Sequence, residues 1–139
     1  MALVAPVDGP PRLYARHFLG SIHGTQVKDV LKYFRRRIGQ PLAVLWDHLP
    51  AHQAKLVQDF VAAHGEDYHL EWLPAYAPEL NPDEGIWNHL KRVELRNRCC
   101  ATLRHLRDAL RLATARLRHK RSIIHSCFHS CFHHAGHRV

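Results

Sequence analysis

The chain has no apolar run near the roughly 18 residues that a membrane span requires; its longest, such as Leu42 to Trp46, are far shorter. The opening MALVAPVDGP lacks the basic region and long apolar stretch of a signal peptide, so a cytoplasmic location is expected. Cysteine is sparse: the 4 residues fall as the pairs Cys99/Cys100 and Cys127/Cys131, a poor disulfide framework, and are expected to be reduced. There is no internal repeat, and no low-complexity segment beyond a histidine-enriched end. Acidic side chains all but vanish after residue 90, where 2 stand against 12 Lys and Arg, a balance of +10. Residues 1–90 hold 10 acidic and 8 basic side chains, a balance of −2.

What remains is the composition of a globular protein. With 139 residues, 46% hydrophobic and 23% charged, the chain can bury one modest core, or one core with an arm, and is neither disordered nor fibrous. A net charge of +8 makes a polyanionic partner the first guess, with a solubility device as the plain alternative. Its segregation suggests a front half able to hold metal or do chemistry and a back half able to hold an anionic polymer.

Periodicity supplies the elements. The turn signal Asp8-Gly9-Pro10-Pro11 predicts a hairpin of residues 2–7 and 12–19. Thr25 stands as N-cap before a helix whose inner face is Val27, Val30, Leu31, Phe34 and Ile38, and Gly39 ends it. Pro41 to Asp47, apolar until its aspartate, reads as a strand buried on both faces whose carboxyl end meets solvent. Pro50 opens a second helix with Ala54, Val57, Phe60 and Val61 inside, and Tyr68 to Leu73 makes another strand. Helices over 82–98 and 102–118 follow, then one near 122–134 with Ile124, Cys127, Phe128 and Cys131 inward. In the helix over 102–118, Leu103, Leu106, Leu110, Ala113 and Leu117 form an apolar stripe beside a cationic one of Arg104, Arg107, Arg111 and Arg118. The order implies an α/β class: a partly parallel sheet covered by helices, with chemistry at the carboxyl ends of strands.

Asp47 and Glu84 are the acids in chemically suggestive places, at a strand end and in the first turn of a later helix. Their oxygens suit hard divalent cations, and two such ions can activate a water or 3′-hydroxyl in a phosphodiester displacement. Their settings are LWDHLPAH (Leu45 to His52) and LPAYAPELNPDEGIWNHLK (Leu73 to Lys91), with 36 residues between the two acids. These blocks strongly resemble the second and third motifs of the DDE transposases of the IS630/Tc1/mariner superfamily, the IS630-like bacterial branch in particular. The resemblance covers residues about 12–118. It implies an RNase H-like fold, with residues 1–121 a partial catalytic domain and 122–139 a basic, His-rich helix or tail. It makes Asp47 the second catalytic acid and Glu84 the third, both ligands of Mg²⁺ or Mn²⁺, and DNA the substrate. A nucleoid-associated bacterial location follows.

The departures matter as much. His48 stands where the family often has Asn. Family members carry a further Asp on the sheet's first strand, many tens of residues upstream of the second acid, whereas 46 residues precede Asp47 here. Asp8 is too near and sits in the turn signal. The helix-turn-helix region that recognises element ends is also missing. The expectation is therefore a C-terminal part of a transposase, a truncated remnant or a second-frame product, inactive alone. A two-metal site would form only if the first Asp is supplied. Candidate protein partners are the upstream transposase fragment and a second copy of the chain.

Each assignment has a plain rival. Asn81, Pro82 and Glu84 spell a capping box that would explain Glu84 by helix initiation. Asp47 could be a solvated strand end, His52 a packed or capping histidine, and Trp46 and Trp72 read as core. Lys91, on the face of Glu84 and Trp87, and the arginine stripe with Lys120 and Arg121 are candidate DNA phosphate contacts, or simply solvated. The alternative function is a non-enzymatic DNA-binding or transposase-interacting protein using the cationic helices alone. The His125/His129/His133 and Cys127/Cys131 spacings can chelate zinc, but nothing in the sequence brings the two sets to one point.

Overall fold

A computed structural model describes residues 2–5 and 9–135. In chain order the elements are β1 (Ala2–Val4), β2 (Arg12–Tyr14), α1 (Gly24–Ile38), β3 (Leu42–Trp46), α2 (Lys55–Ala62) and β4 (Tyr68–Trp72). A 3₁₀ turn (Pro78–Leu80), α3 (Pro82–His89), a π-helical turn (Leu90–Glu94), α4 (Leu103–Leu117) and α5 (Arg121–Ala135) complete it. No helix is long and apolar enough to cross a membrane among the described residues. The chain divides into two compact units, one of the residues up to Leu19 with those from Pro78 onward, the other of Gly20–Ala77.

In the first unit β1 and β2 pair antiparallel, Ala2 opposite Tyr14 and Val4 opposite Arg12. The expected hairpin forms with shorter strands; Asp8 of its turn signal lies outside the described residues. Past Tyr14 the ladder stops, and the Ala15 carbonyl instead accepts a 3.3 Å hydrogen bond from the Arg118 guanidinium. Leu13, Ile86, Leu90, Ala113, Leu117 and Ile124 form the core, with Trp87, Ile123 and Cys127 packed on it. Gly85 permits this packing, because a Cβ there would stand 3.0 Å from the Cys127 sulfur. The apolar stripe of α4 is only half used: Ala113 and Leu117 are buried, while Leu103 and Leu106 are exposed. Thr114 and Ala109 are buried in their stead, so the core-facing surface is rotated and confined to the last turns. The helix expected over 82–98 also changes character, since Leu95 N–H donates to the Leu90 carbonyl five residues back and Asn97 ends the segment at φ 59°.

In the second unit β3 and β4 run parallel, Leu42 opposite Tyr68 and Trp46 opposite Trp72. Val27 and Leu31 of α1, Val57 of α2, Trp46 and Tyr68 make its core. Gly39 ends α1 at φ 78°, a left-handed cap that glycine adopts without a Cβ clash. The N-cap is His23 rather than Thr25, and its N–H donates to Gln26 Oε1 at 3.0 Å.

Three expectations are corrected here. The described strands form two separate two-stranded ladders, not one partly parallel sheet. β3 is covered on one face only: Trp46 is buried and Val44 half-buried, whereas Ala43 and Leu45 on the opposite face are exposed, Leu45 by 58%. Both α1 and α2 contribute to the core that covers the Trp46 face, which leaves the alternate residues open. Finally, α2 opens at Lys55 and not at Pro50, because residues after Leu49 first close a separate turn in which His52 and Gln53 N–H both donate to the Leu49 carbonyl.

Candidate functional site

Asp47 follows directly on the carboxyl end of β3, where the apolar run of the sequence ends. The turn after Leu49 returns the chain, so His52 Nδ1 lies 2.8 Å from Asp47 Oδ1. The Leu49 N–H reaches the same oxygen at 3.3 Å. The His52 ring stacks on Trp46 at 4.8 Å between centroids, which fixes the imidazole plane beside the carboxylate. Oδ2 of Asp47 makes no hydrogen bond or ion pair among the described residues and the side chain is 44% exposed, so one oxygen is held and the other is free to bind. His48, in the position often held by Asn, stacks on Trp72 at 5.0 Å and hydrogen-bonds the Leu73 carbonyl at 3.0 Å. Its ring thus ties the ends of β3 and β4 together. Trp72 is no core residue: 38% exposed, it forms an aromatic ledge with Trp46 and His48.

Glu84 lies in the first turn of α3, in the other unit, and is exposed. Asn81 caps this helix by accepting from Asp83 N–H at 3.1 Å, with Pro82 in the first turn. The reciprocal half of a capping box is absent, because Asn81 N–H donates to the Pro78 carbonyl. The Glu84 carboxylate is therefore not engaged in capping, and among the described residues it has no ion pair or hydrogen bond.

The cations sort by what holds them. Arg107 pairs with Asp108 at 3.1 Å, Arg118 with the Ala15 carbonyl, and Lys120 with Glu94, which also takes Arg116 at 3.1 Å. Lys120 is thus a structural partner. The Glu94 side chain is 5% exposed, and the Lys120 hydrogen bond, opposed by burial and reinforced by Arg116, holds its carboxyl below the ordinary glutamate range. Lys91, Arg104 and Arg111 are exposed, and their side chains form no ion pair or hydrogen bond among the described residues. Arg107, Arg111 and Arg118 line one cavity of the first unit; Arg104 and Lys91 do not. Sequence reasoning passes over Arg16 and His17, which line the same cavity, because His17 meets Thr114 across 97 positions of chain. Of the zinc set, the His133 side chain lies outside the described residues; among the described ones no group of three His, Cys, Asp or Glu able to hold a metal occurs.

An acid at a parallel-strand end, another at a helix start and a cationic C-terminal third stand in a mixed α/β chain. A family model described as DDE superfamily endonuclease matches residues 11–107, and the chain belongs to this family. The family implies an RNase H-like fold, divalent metal chemistry and DNA as substrate. No curated protein and no solved structure matches the chain. The donors present suit a hard cation in kind, carboxylate oxygens that are open, but not in number, since the described residues gather no three-ligand cluster.

Proposed function

We propose that residues 1–139 are the part of an IS630-like DDE transposase domain that carries the second and third acids, Asp47 and Glu84, as ligands of Mg²⁺ or Mn²⁺. The ancestral reaction is DNA strand cleavage and transfer. The first acid comes from outside these residues, because neither β1 nor β2 contains a carboxylate, and the segment alone binds DNA without cutting it. Lys91, Arg104, Arg107, Arg111 and Arg118 are the phosphate contacts. The observation that carries the reading is the family match, which spans both acids, together with the free oxygen of Asp47 at the strand end.

A second reading, DNA binding with no retained metal site, is favoured by the unpaired Arg104 and Arg111. Calorimetric titration with Mn²⁺ separates the two. The first reading expects weak binding in the wild type that is lost in Asp47→Ala; equal heats in both proteins would leave only the second.

A further inference from the structure

A cavity of about 550 Å³ opens in the first unit between the segment Ala15–His17 and the side of α4. Among the described residues its lining carries the guanidinium groups of Arg16, Arg107, Arg111 and Arg118 and the carboxylate of Asp108; Arg107 engages Asp108, and Arg16 lies 5.3 Å over the Phe18 ring. The floor is polar and closed: Thr114 is 2% exposed, and its Oγ1 lies 3.1 Å from His17 Nε2. The Thr114 hydroxyl proton is directed at the helix carbonyls of Leu110 and Arg111, at 2.9 and 3.0 Å. With that proton so placed, His17 Nε2–H is the donor to Thr114. Arg118 is steadied by the Ala15 carbonyl, yet a guanidinium has five N–H groups and this bond uses one.

Guanidinium groups gathered around a concave, hydrogen-bonded floor create a positive local potential that attracts an anion. The volume falls within the range of ordinary ligand sites, and planar guanidinium forks match the oxygens of phosphate. A solvated arginine stripe would need neither a cavity nor a second segment of chain.

We propose that this cavity seats one phosphate group, gripped jointly by Arg16 from the segment after β2 and by Arg111 and Arg118 of α4. The shared chemistry is a tetrahedral phosphoryl anion, supplied by a DNA backbone or by free phosphate. Only the choice of the DNA source rests on the proposed function; the cavity and its charge do not. Burial first, then the positive charge of the chain's amino terminus, and after it that of Arg118 and Arg111, keep the His17 pKa below the ordinary histidine value. A bound anion offsets that positive field, so His17 reports occupancy.

The experiment follows the His17 ring resonances by NMR, assigned by their loss in His17→Gln, while inorganic phosphate or a short duplex is added to the whole chain. The expected result is a saturable shift and a raised His17 pKa with the duplex. Duplex affinity should also fall roughly tenfold in Arg16→Gln, as for one charge-assisted contact, with the salt slope reduced by about one. Arg111→Gln, an exposed position, should do the same. A saturable response to inorganic phosphate with none to the duplex would keep the seat and refute its DNA source. A His17 that responds to neither refutes the seat. Duplex binding that Arg16→Gln leaves intact also refutes the joint grip, while the α4 contacts of the proposed function would stand.

Discussion

At the scale of single residues, the two acids differ in how they are held. Asp47 has one oxygen fixed by His52 and by the Leu49 amide and one free, whereas Glu84 has no polar contact among the described residues. A carboxylate that must meet a metal gains from such half-fixing, because the held oxygen sets direction without occupying both donors. Glu94 shows the opposite economy: nearly buried and bonded by Arg116 and Lys120, it has nothing left to bind a ligand. Its carboxyl titrates lower in the folded chain than in the unfolded one. The resulting stabilisation is complete above the ordinary glutamate range and fades as pH falls through the lowered value. Glu94→Gln should therefore lower the melting temperature at neutral pH, and the gap between variant and wild type should close as the solution is acidified. A gap independent of pH would contradict this account of the ion-pair cluster.

At the scale of elements, long periodic segments were legible in the sequence and irregular ones were not. The spacing Val27, Leu31, Phe34 specifies α1 and its Gly39 stop, because each position is set by the helix repeat. The turn at residues 49–53 escaped detection, since Pro50 suits a helix start as well as a turn, and it is this turn that brings His52 to Asp47. The π-helical turn after α3 has no signature in composition either. It lets Leu90 remain buried while Glu94 turns toward Arg116 and Lys120. In α5 the inward set was legible, and Ile124 and Cys131 are buried as its spacing expects. Burial raises the pKa of both the Cys127 and the Cys131 thiols. Limited iodoacetamide at neutral pH should therefore modify exposed Cys99 while Cys131 stays unreacted until the protein is unfolded, with mass spectrometry of the digest as readout. Equal labelling of Cys99 and Cys131 in the native protein would contradict the packing of α5.

At the scale of the whole molecule, charge and acids are divided along the chain. The cationic third lies in residues 91–139, Asp47 belongs to the second compact unit, and Glu84 to the first. Family membership was legible because the third motif combines a rare string of prolines, aromatics and an acid, each with its own conformational reason. Pro82 and Asn81 start α3, the 3₁₀ turn at Pro78–Leu80 precedes it, and the Glu84 side chain takes no part in the cap. Pairing of strands was less legible, because an apolar run such as Leu42–Trp46 reads alike whether one face or both are covered. The acid that would complete a DDE set is found on neither β1 nor β2.

The central proposal is that Asp47 and Glu84 are ligands of a divalent cation. Paramagnetic broadening by sub-stoichiometric Mn²⁺, read on the backbone amides of both residues, tests it most directly. The account predicts that both amides broaden together over one titration, and that Asp47→Ala abolishes the broadening at Glu84. Broadening confined to one acid, or persisting at Glu84 in Asp47→Ala, would contradict it.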